Sequence, residues 1–259
     1  MPPTEKAIDR LRKALRLSTP IICLYDSAPD ASFAPTVEAK GALCCFAYYH
    51  RWVKGETLIV RRGEGEDFRS PRHGCPGLQS HFGFTKKYPP WMANFLTDGK
   101  NGAPLGEGLK ASQALAQEYL DRIVYPQPSA DTVLMGPLRL DRWRDIRTVT
   151  FFADPDRLSA LMTLAAFYSA DPETIQAPFS SGCGQLWEVF GHHRQDRAVI
   201  GCTDIAMRRY LPRDILCLTV TPARFEQMTD FPDDAFLMRS WWQELMEARQ
   251  KNASAGEKE

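Results

Sequence analysis

The chain has 259 residues, and its 32 Lys and Arg balance 32 Asp and Glu, so the formal net charge is zero. That balance argues against the broadly basic face a nucleic-acid partner needs, and no apolar run approaches the ~20 residues of a membrane helix. Seven cysteines, an odd number, do not suit a secreted disulfide framework and point to a reduced, cytoplasmic protein.

The first segment, MPPTEKAIDRLRKALRL, is charged and amphipathic and has no apolar signal-peptide core. Ile8, Leu11 and Leu15 share one face, which predicts a surface helix over Glu5–Leu17. Ile21–Tyr25 reads as a buried strand and Ser27–Lys40 as a loop. Ala42–Trp52 reads as a helix and Thr57–Val60 as a short strand. Arg61–Arg72 is a charged, Gly-containing loop, and a short helix opens at Cys75. Pro89–Leu96 predicts another helix, Thr97–Gly108 a Gly-rich loop, and Leu109–Val124 a helix with Leu115, Tyr119 and Ile123 inward. The GAPLGEG run follows no strand and lacks Lys-Ser or Lys-Thr, so it is not a phosphate cradle. Strands follow at Thr132–Gly136 and Val149–Phe152, then a helix at Arg157–Ser169 and a second cysteine helix at Gly182–Gly191. Ala198–Cys202 and Ile215–Val220 are strands, and Pro222–Met228 is a helix. Pro232–Glu247 is a terminal helix with Leu237, Trp241 and Leu245 on one face. Lys251–Glu259 has no apolar anchor.

Strands alternating with helices predict an α/β protein. One motif also returns: His73–Gly83, HGCPGLQSHFG, reappears as Ser181–Gly191, SGCGQLWEVFG. Each copy has Gly-Cys, then Leu, then Phe-Gly two helical turns on. IICLYD parallels VTFFAD, ALCCFAYYHRWVKGETL parallels ALMTLAAFYSADPETI, and ADTVLMGPLRLDRW parallels RDILCLTVTPARFEQM. The expected architecture is therefore two pseudo-symmetric β-α-β-α lobes from an internal duplication. In this division residues 1–19 are an N-terminal helix, 20–143 the first lobe, 148–228 the second, and 229–259 a C-terminal helix and tail. Together they form one compact unit.

These motifs resemble one family, Domain of Unknown Function 169. The resemblance rests on AKGALCCFAYYHRWVKGETL, HGCPGLQSHFGF, VLMGPL, the Cys183 segment and AVIGCTDIAMRRYLPRDILCLTVTP, and covers about residues 18–228. It implies no established reaction. It directs attention to a cysteine in the first helix, one opening the second, and two in the second half. Cys44 or Cys45, Cys75, Cys183 and Cys202 fall on those places.

Cys75 and Cys183 each follow a Gly at a predicted helix start, where unsatisfied N–H groups favour thiolate. A twofold axis could bring both to one cleft, with Cys202 and Cys45 completing four ligands for zinc or an iron–sulfur cluster. Ligand candidates beside them are His73, His81 and Arg208. The leading expectation is thus a cysteine-lined site between two lobes, holding a metal, an iron–sulfur cluster or another soft ligand. A second reading is a thiol enzyme using Cys75 or Cys183, with His73 or His81 as base. A third is a small-ligand-binding or regulatory module in which the cysteines pack. Cys23 and Cys217, inside apolar strands, read as core. The partner is a small molecule or metal, with room for a homo-oligomer. The sequence does not decide whether the protein is an enzyme.

Overall fold

The computed structural model describes residues 2–41, 43–63, 74–85, 88–99, 106–187 and 197–256, with 252–256 as backbone alone. Helix α1 is Glu5–Leu15: the Thr4 hydroxyl accepts from the Ala7 N–H, and Ile8, Leu11, Ala14 and Leu15 are buried. It stops two residues before the predicted end because Arg16 turns left-handed at φ 50°. Strand β1 (Ile22–Tyr25) is followed by β2 (Thr36–Glu38), a 3₁₀ turn (Cys45–Tyr48), α2 (Tyr49–Val53) and β3 (Thr57–Arg61). Then come α3 (Pro76–His81), α4 (Met92–Phe95), α5 (Gln113–Asp121) and β4 (Thr132–Pro137). The rest of the chain forms β5 (Ile146–Ala153), α6 (Pro155–Ala166), β6 (Ile175–Gln176), α7 (Gly182–Trp187) and β7 (Ala198–Gly201). A 3₁₀ turn (Ile205–Tyr210), β8 (Leu216–Val220), α8 (Pro222–Thr229) and α9 (Ser240–Gly256) complete it.

The single continuous helix predicted over Ala42–Trp52 is instead the 3₁₀ turn and α2. Its Phe, Tyr and Trp side chains are weak helix formers, and Phe46, Tyr48, Tyr49 and Trp52 all bury against the sheet. Among the described residues, no helix is long and apolar enough to cross a membrane.

Among the described residues, eight strands join one mixed sheet, in the order β2-β3-β4-β1-β5-β8-β7-β6. The two lobes expected to meet across a cleft are instead continuous, because β1 and β5 pair antiparallel at the centre, Ile22 opposite Thr150. The strand order is a palindrome. Both edge pairs, β2·β3 and β6·β7, are parallel, and the pairs between them are antiparallel.

Period-two alternation sends side chains to two cores. Cys23, Tyr25 and Phe151 face a layer of α1, α6, α8 and α9. Ile22, Leu24, Phe152 and Cys217 face the other layer, made by the Cys45–Tyr48 turn, α2, α3, α7 and the Ile205–Tyr210 turn. All six remaining cysteines belong to or pack against this second core.

The palindrome also corrects the sequence pairing of Cys75 with Cys183. Counted inward from its edge, α3 links the second strand to the third, since it lies between β3 and β4. Helix α7 links the first to the second, between β6 and β7. The segment holding the same place as α7 is the one with Cys44 and Cys45, and the place of α3 is held by the Ile205–Tyr210 turn. The two Gly-Cys motifs are alike locally because both begin short helices that pack on the sheet.

Candidate functional site

Four separate segments of the second layer converge. Backbone bonds from Gly74 N–H to Gly41 O (2.9 Å) and from Cys75 N–H to Leu43 O (3.2 Å) lay the start of α3 against residues 41–44. Gly182 packs so closely on Phe46 that a Cβ there would come within 2.7 Å of its ring. Its N–H bonds the Asp204 carboxylate at 3.1 Å. These contacts bring Cys44, Cys45, Cys75 and Cys183 into one neighbourhood, where the Cys45 thiol lies beside the sulfurs of Cys44 and Cys183.

Beside the sulfurs lies a cavity of about 1090 Å³, whose wall includes Cys44, Cys75 and Cys183. Its aromatic side is Tyr88, Trp91, Phe95, Tyr119 and Phe179. Most of it comes from the segment between α3 and β4, where α4 and α5 build a small core of Met92, Ala93, Ala116 and Leu120. Lys110 ties this wall to the second half of the chain: its ammonium sits 3.9 Å from the centre of the Phe179 ring and 4.6 Å from that of Tyr119, a cation–π contact. Among the described residues, the charged groups on the cavity wall are Glu107, Asp204 and Arg209.

The sulfurs differ in electrostatics. The Cys45 thiol, helped by the Phe46 N–H and Arg209, outweighs burial and Asp204 and lowers the Cys44 pKa. Burial, then the neighbouring sulfurs of Cys183 and Cys44, raise that of Cys75. Burial first, then hydrogen bonds with Cys183 and Cys44, hold Cys45 well above the usual thiol range. Cys44 is therefore the sulfur this site favours as thiolate. Burial and nearby Asp204 raise the Glu107 carboxyl, against Arg209.

The residues singled out in the sequence divide. Cys75 and Cys183 line the same cavity, and Cys44 rather than Cys45 joins them there. Cys45 lies fully buried. Cys202 is also fully buried, with Cys217 as its main sulfur neighbour and Cys44 within electrostatic range. Its backbone is left-handed at φ 63°, which costs a non-glycine residue about 1–2 kcal/mol. Of the four sulfurs expected as metal ligands, Cys75 and Cys183 line the cavity, and Cys45 and Cys202 are fully buried. Among the described residues, no group of three or more His, Cys, Asp or Glu is placed to hold a metal ion.

His81 is buried, and burial lowers its pKa to about 3, so it is neutral. It hydrogen-bonds the Tyr88 hydroxyl, and Tyr88 is the member of the pair on the cavity wall. Ser181 continues the polar chain to Cys183, Oγ to Sγ at 3.3 Å. Arg208 is a strut: its guanidinium donates to the carbonyls of Cys202 (3.4 Å), Pro212 (3.1 Å), Arg213 (2.7 Å) and Ile215. The arginine on the cavity is its neighbour Arg209. His73 lies outside the described residues, as do nearly all of Arg61–Arg72 and part of Thr97–Gly108. The aromatic wall was the main omission of the sequence reading. Its one signal is the density of rings in YPPWMANF.

Fold and site together define a three-layer α/β protein with a thiol- and ring-lined cavity on one face of the sheet. The family model of DUF169, described as uncharacterised ArCR, matches residues 10–230, and the chain belongs to that family. No curated protein and no solved structure matches it.

Proposed function

We propose that the protein binds a small, flat, largely apolar organic molecule in this cavity, with Arg209 and the thiols of Cys44, Cys75 and Cys183 as its polar contacts. The observation that carries this reading is the cavity itself. Its volume of about 1090 Å³ is at the upper end of small-molecule sites, which combine apolar walls with a few convergent polar groups. Aromatic walls favour a ligand that can stack or meet ring edges. The ligand-binding reading is preferred to a metal centre because, among the described residues, no group of three or more His, Cys, Asp or Glu is placed to hold a metal ion.

Two coarser inferences accompany it. The seven free thiols support a reducing compartment. The palindromic strand order supports descent of residues 20–143 and 148–228 from one duplicated unit. A crystal structure in which β1–β4 and β5–β8 do not superimpose by a twofold rotation would end that idea.

The binding reading is tested with anilinonaphthalene sulfonate, a flat anionic dye, followed by its fluorescence. Saturable binding to the folded chain is expected. Trp91→Ala and Phe179→Ala should each weaken it by roughly tenfold, about 1.4 kcal/mol. Arg209→Gln should weaken it similarly through loss of the sulfonate contact. Arg208→Gln should instead lower the melting temperature and leave the dye affinity of the folded fraction unchanged. Equal affinity in wild type, Trp91→Ala and Phe179→Ala would place the dye elsewhere and sink the proposal.

A further inference from the structure

We propose that Cys44 and Cys75 form a thiol–disulfide exchange pair on the cavity wall, Cys44 attacking and Cys75 resolving, with small aromatic disulfides as substrates. The substrate class rests on the reading of the cavity as a ligand site; the pair rests on separate observations.

Accessibility is the first of these. Of the seven cysteines, five are buried, and Cys44 and Cys75 are only partly so. Both line the cavity. Proximity is the second. The two short backbone bonds, Gly74 to Gly41 and Cys75 to Leu43, hold the two segments side by side, and each sulfur lies within electrostatic range of the other.

The third observation is the asymmetry between them. Exchange needs one sulfur as thiolate and a second that can follow. Around Cys44 the neighbouring Cys45 thiol, the nearby Phe46 N–H and the positive charge of Arg209 all favour the thiolate. Around Cys75 the nearby N–H groups of Leu78 and Gly77 also favour the thiolate, but burial and the sulfurs of Cys183 and Cys44 outweigh them. Cys44 is thus the first to ionise, and Cys75 waits as thiol.

The chemistry balances without any further reagent. The Cys44 thiolate attacks one sulfur of RS–SR. A Cys44–S–S–R bond forms, the S–S bond of the substrate breaks, and RS⁻ leaves. Capping removes the negative charge of Cys44, one of the influences holding Cys75 protonated. The Cys75 sulfur then attacks Cys44 Sγ, its proton leaves with the second thiol as RSH, and a Cys44–Cys75 disulfide remains. The substrate gains two electrons and the two cysteines lose them. A small dithiol returns the pair to the starting state by the same exchange in reverse.

The test uses the full, reduced chain under anaerobic conditions with dithiobis(nitrobenzoate), an aromatic disulfide whose released thiolate is coloured. A fast phase of about two equivalents per chain is expected, and peptide mass mapping should place a disulfide between Cys44 and Cys75. Cys75→Ser should release one equivalent and keep the nitrobenzoate adduct on Cys44. Cys44→Ser should slow the fast phase by roughly tenfold or more. Rapid-quench mapping of the first adduct in the wild-type chain needs no variant to fold. A first adduct on any other cysteine, a disulfide from Cys44 to Cys183, or no fast phase would overturn the assignment. Dye binding with no exchange leaves the ligand reading standing and removes the pair; exchange with no dye binding does the opposite.

Discussion

Phe152→Ala is expected to destabilise the protein by about 3–5 kcal/mol, the range for large aromatic truncation in a core. Phe152 is 2% exposed and projects from β5, one of the two central strands of the sheet. Its ring centre lies 5.1 Å from that of Tyr49, 6.0 Å from Trp52 and 6.3 Å from Phe46. Those three rings anchor the segment that follows Cys44 and Cys45, so the substitution leaves a void where the halves meet. The melting temperature should fall by roughly 10 °C, and the urea midpoint should drop with little change in slope. Phe151→Ala is the natural comparison. Phe151 faces the other core, 5.8 Å from Phe225, so it should cost comparable stability without loosening the cavity. Dye affinity should therefore drop in Phe152→Ala alone. A loss below about 1 kcal/mol, in the range of ordinary surface changes, would show that this cluster does not hold the two halves together.

The same alternation explains what was legible in the sequence. The inner strands β1, β3, β4, β5, β7 and β8 are apolar and flanked by turn residues, and each was anticipated within a few residues. The edge strands β2 and β6 were not, because three and two residues are too short to display a period. Helix faces were misjudged by one position. In α5 the expected inward Leu115 is 51% exposed, while Ala116 and Leu120 are buried. In α9 Trp241 is 55% exposed and Trp242 is buried, its indole N–H on the Ala14 carbonyl at 2.8 Å. Where apolar residues sit side by side, the stripe that buries is chosen by the partner surface, not by hydrophobicity alone.

The site suffered the same ambiguity at higher stakes. Cys44 and Cys45 are neighbours, as are Arg208 and Arg209, and identical side chains carry no sequence signal to separate them. The fold separates them physically, since adjacent residues entering or within a 3₁₀ turn point in different directions. Cys45 and Arg208 turn inward to sulfurs and carbonyls; Cys44 and Arg209 turn to the cavity. The Gly-Cys motifs did point to Cys75 and Cys183, and both line the cavity. They reach it from unlike places in the strand order, so the twofold equivalence offered for them was incorrect. The Tyr88–Tyr119 wall belongs to the segment between β3 and β4, which has only the short Ile205–Tyr210 turn at its corresponding place. A search for repeats passes over such a segment.

Gly83→Ala should be the most damaging glycine substitution near the site, costing about 2–5 kcal/mol from two separable causes. Gly83 ends α3 in a left-handed conformation, φ 76°. Its N–H bonds the Ser80 carbonyl at 2.9 Å, and the next N–H, from Phe84, bonds that of Gln79 at 3.0 Å. That pair of bonds is a Schellman stop, which favours glycine because a Cβ is disfavoured there. The second cause is space: an added Cβ would lie 1.9 Å from the Pro126 carbonyl oxygen, which is backbone and cannot swing aside. Pro126 belongs to the passage from α5 into β4, so relief would have to move either the aromatic wall or the end of α3. Gly55 separates the two causes. It has φ 87° with nothing within 4 Å of an added Cβ, so Gly55→Ala should show the conformational cost alone, about 1 kcal/mol. The excess in Gly83→Ala measures the clash, and the same variant should lose dye binding and show faster amide exchange along α3. Equal urea midpoints for Gly83→Ala and Gly55→Ala would mean that Pro126 yields freely, and that the end of α3 does not set the position of the wall.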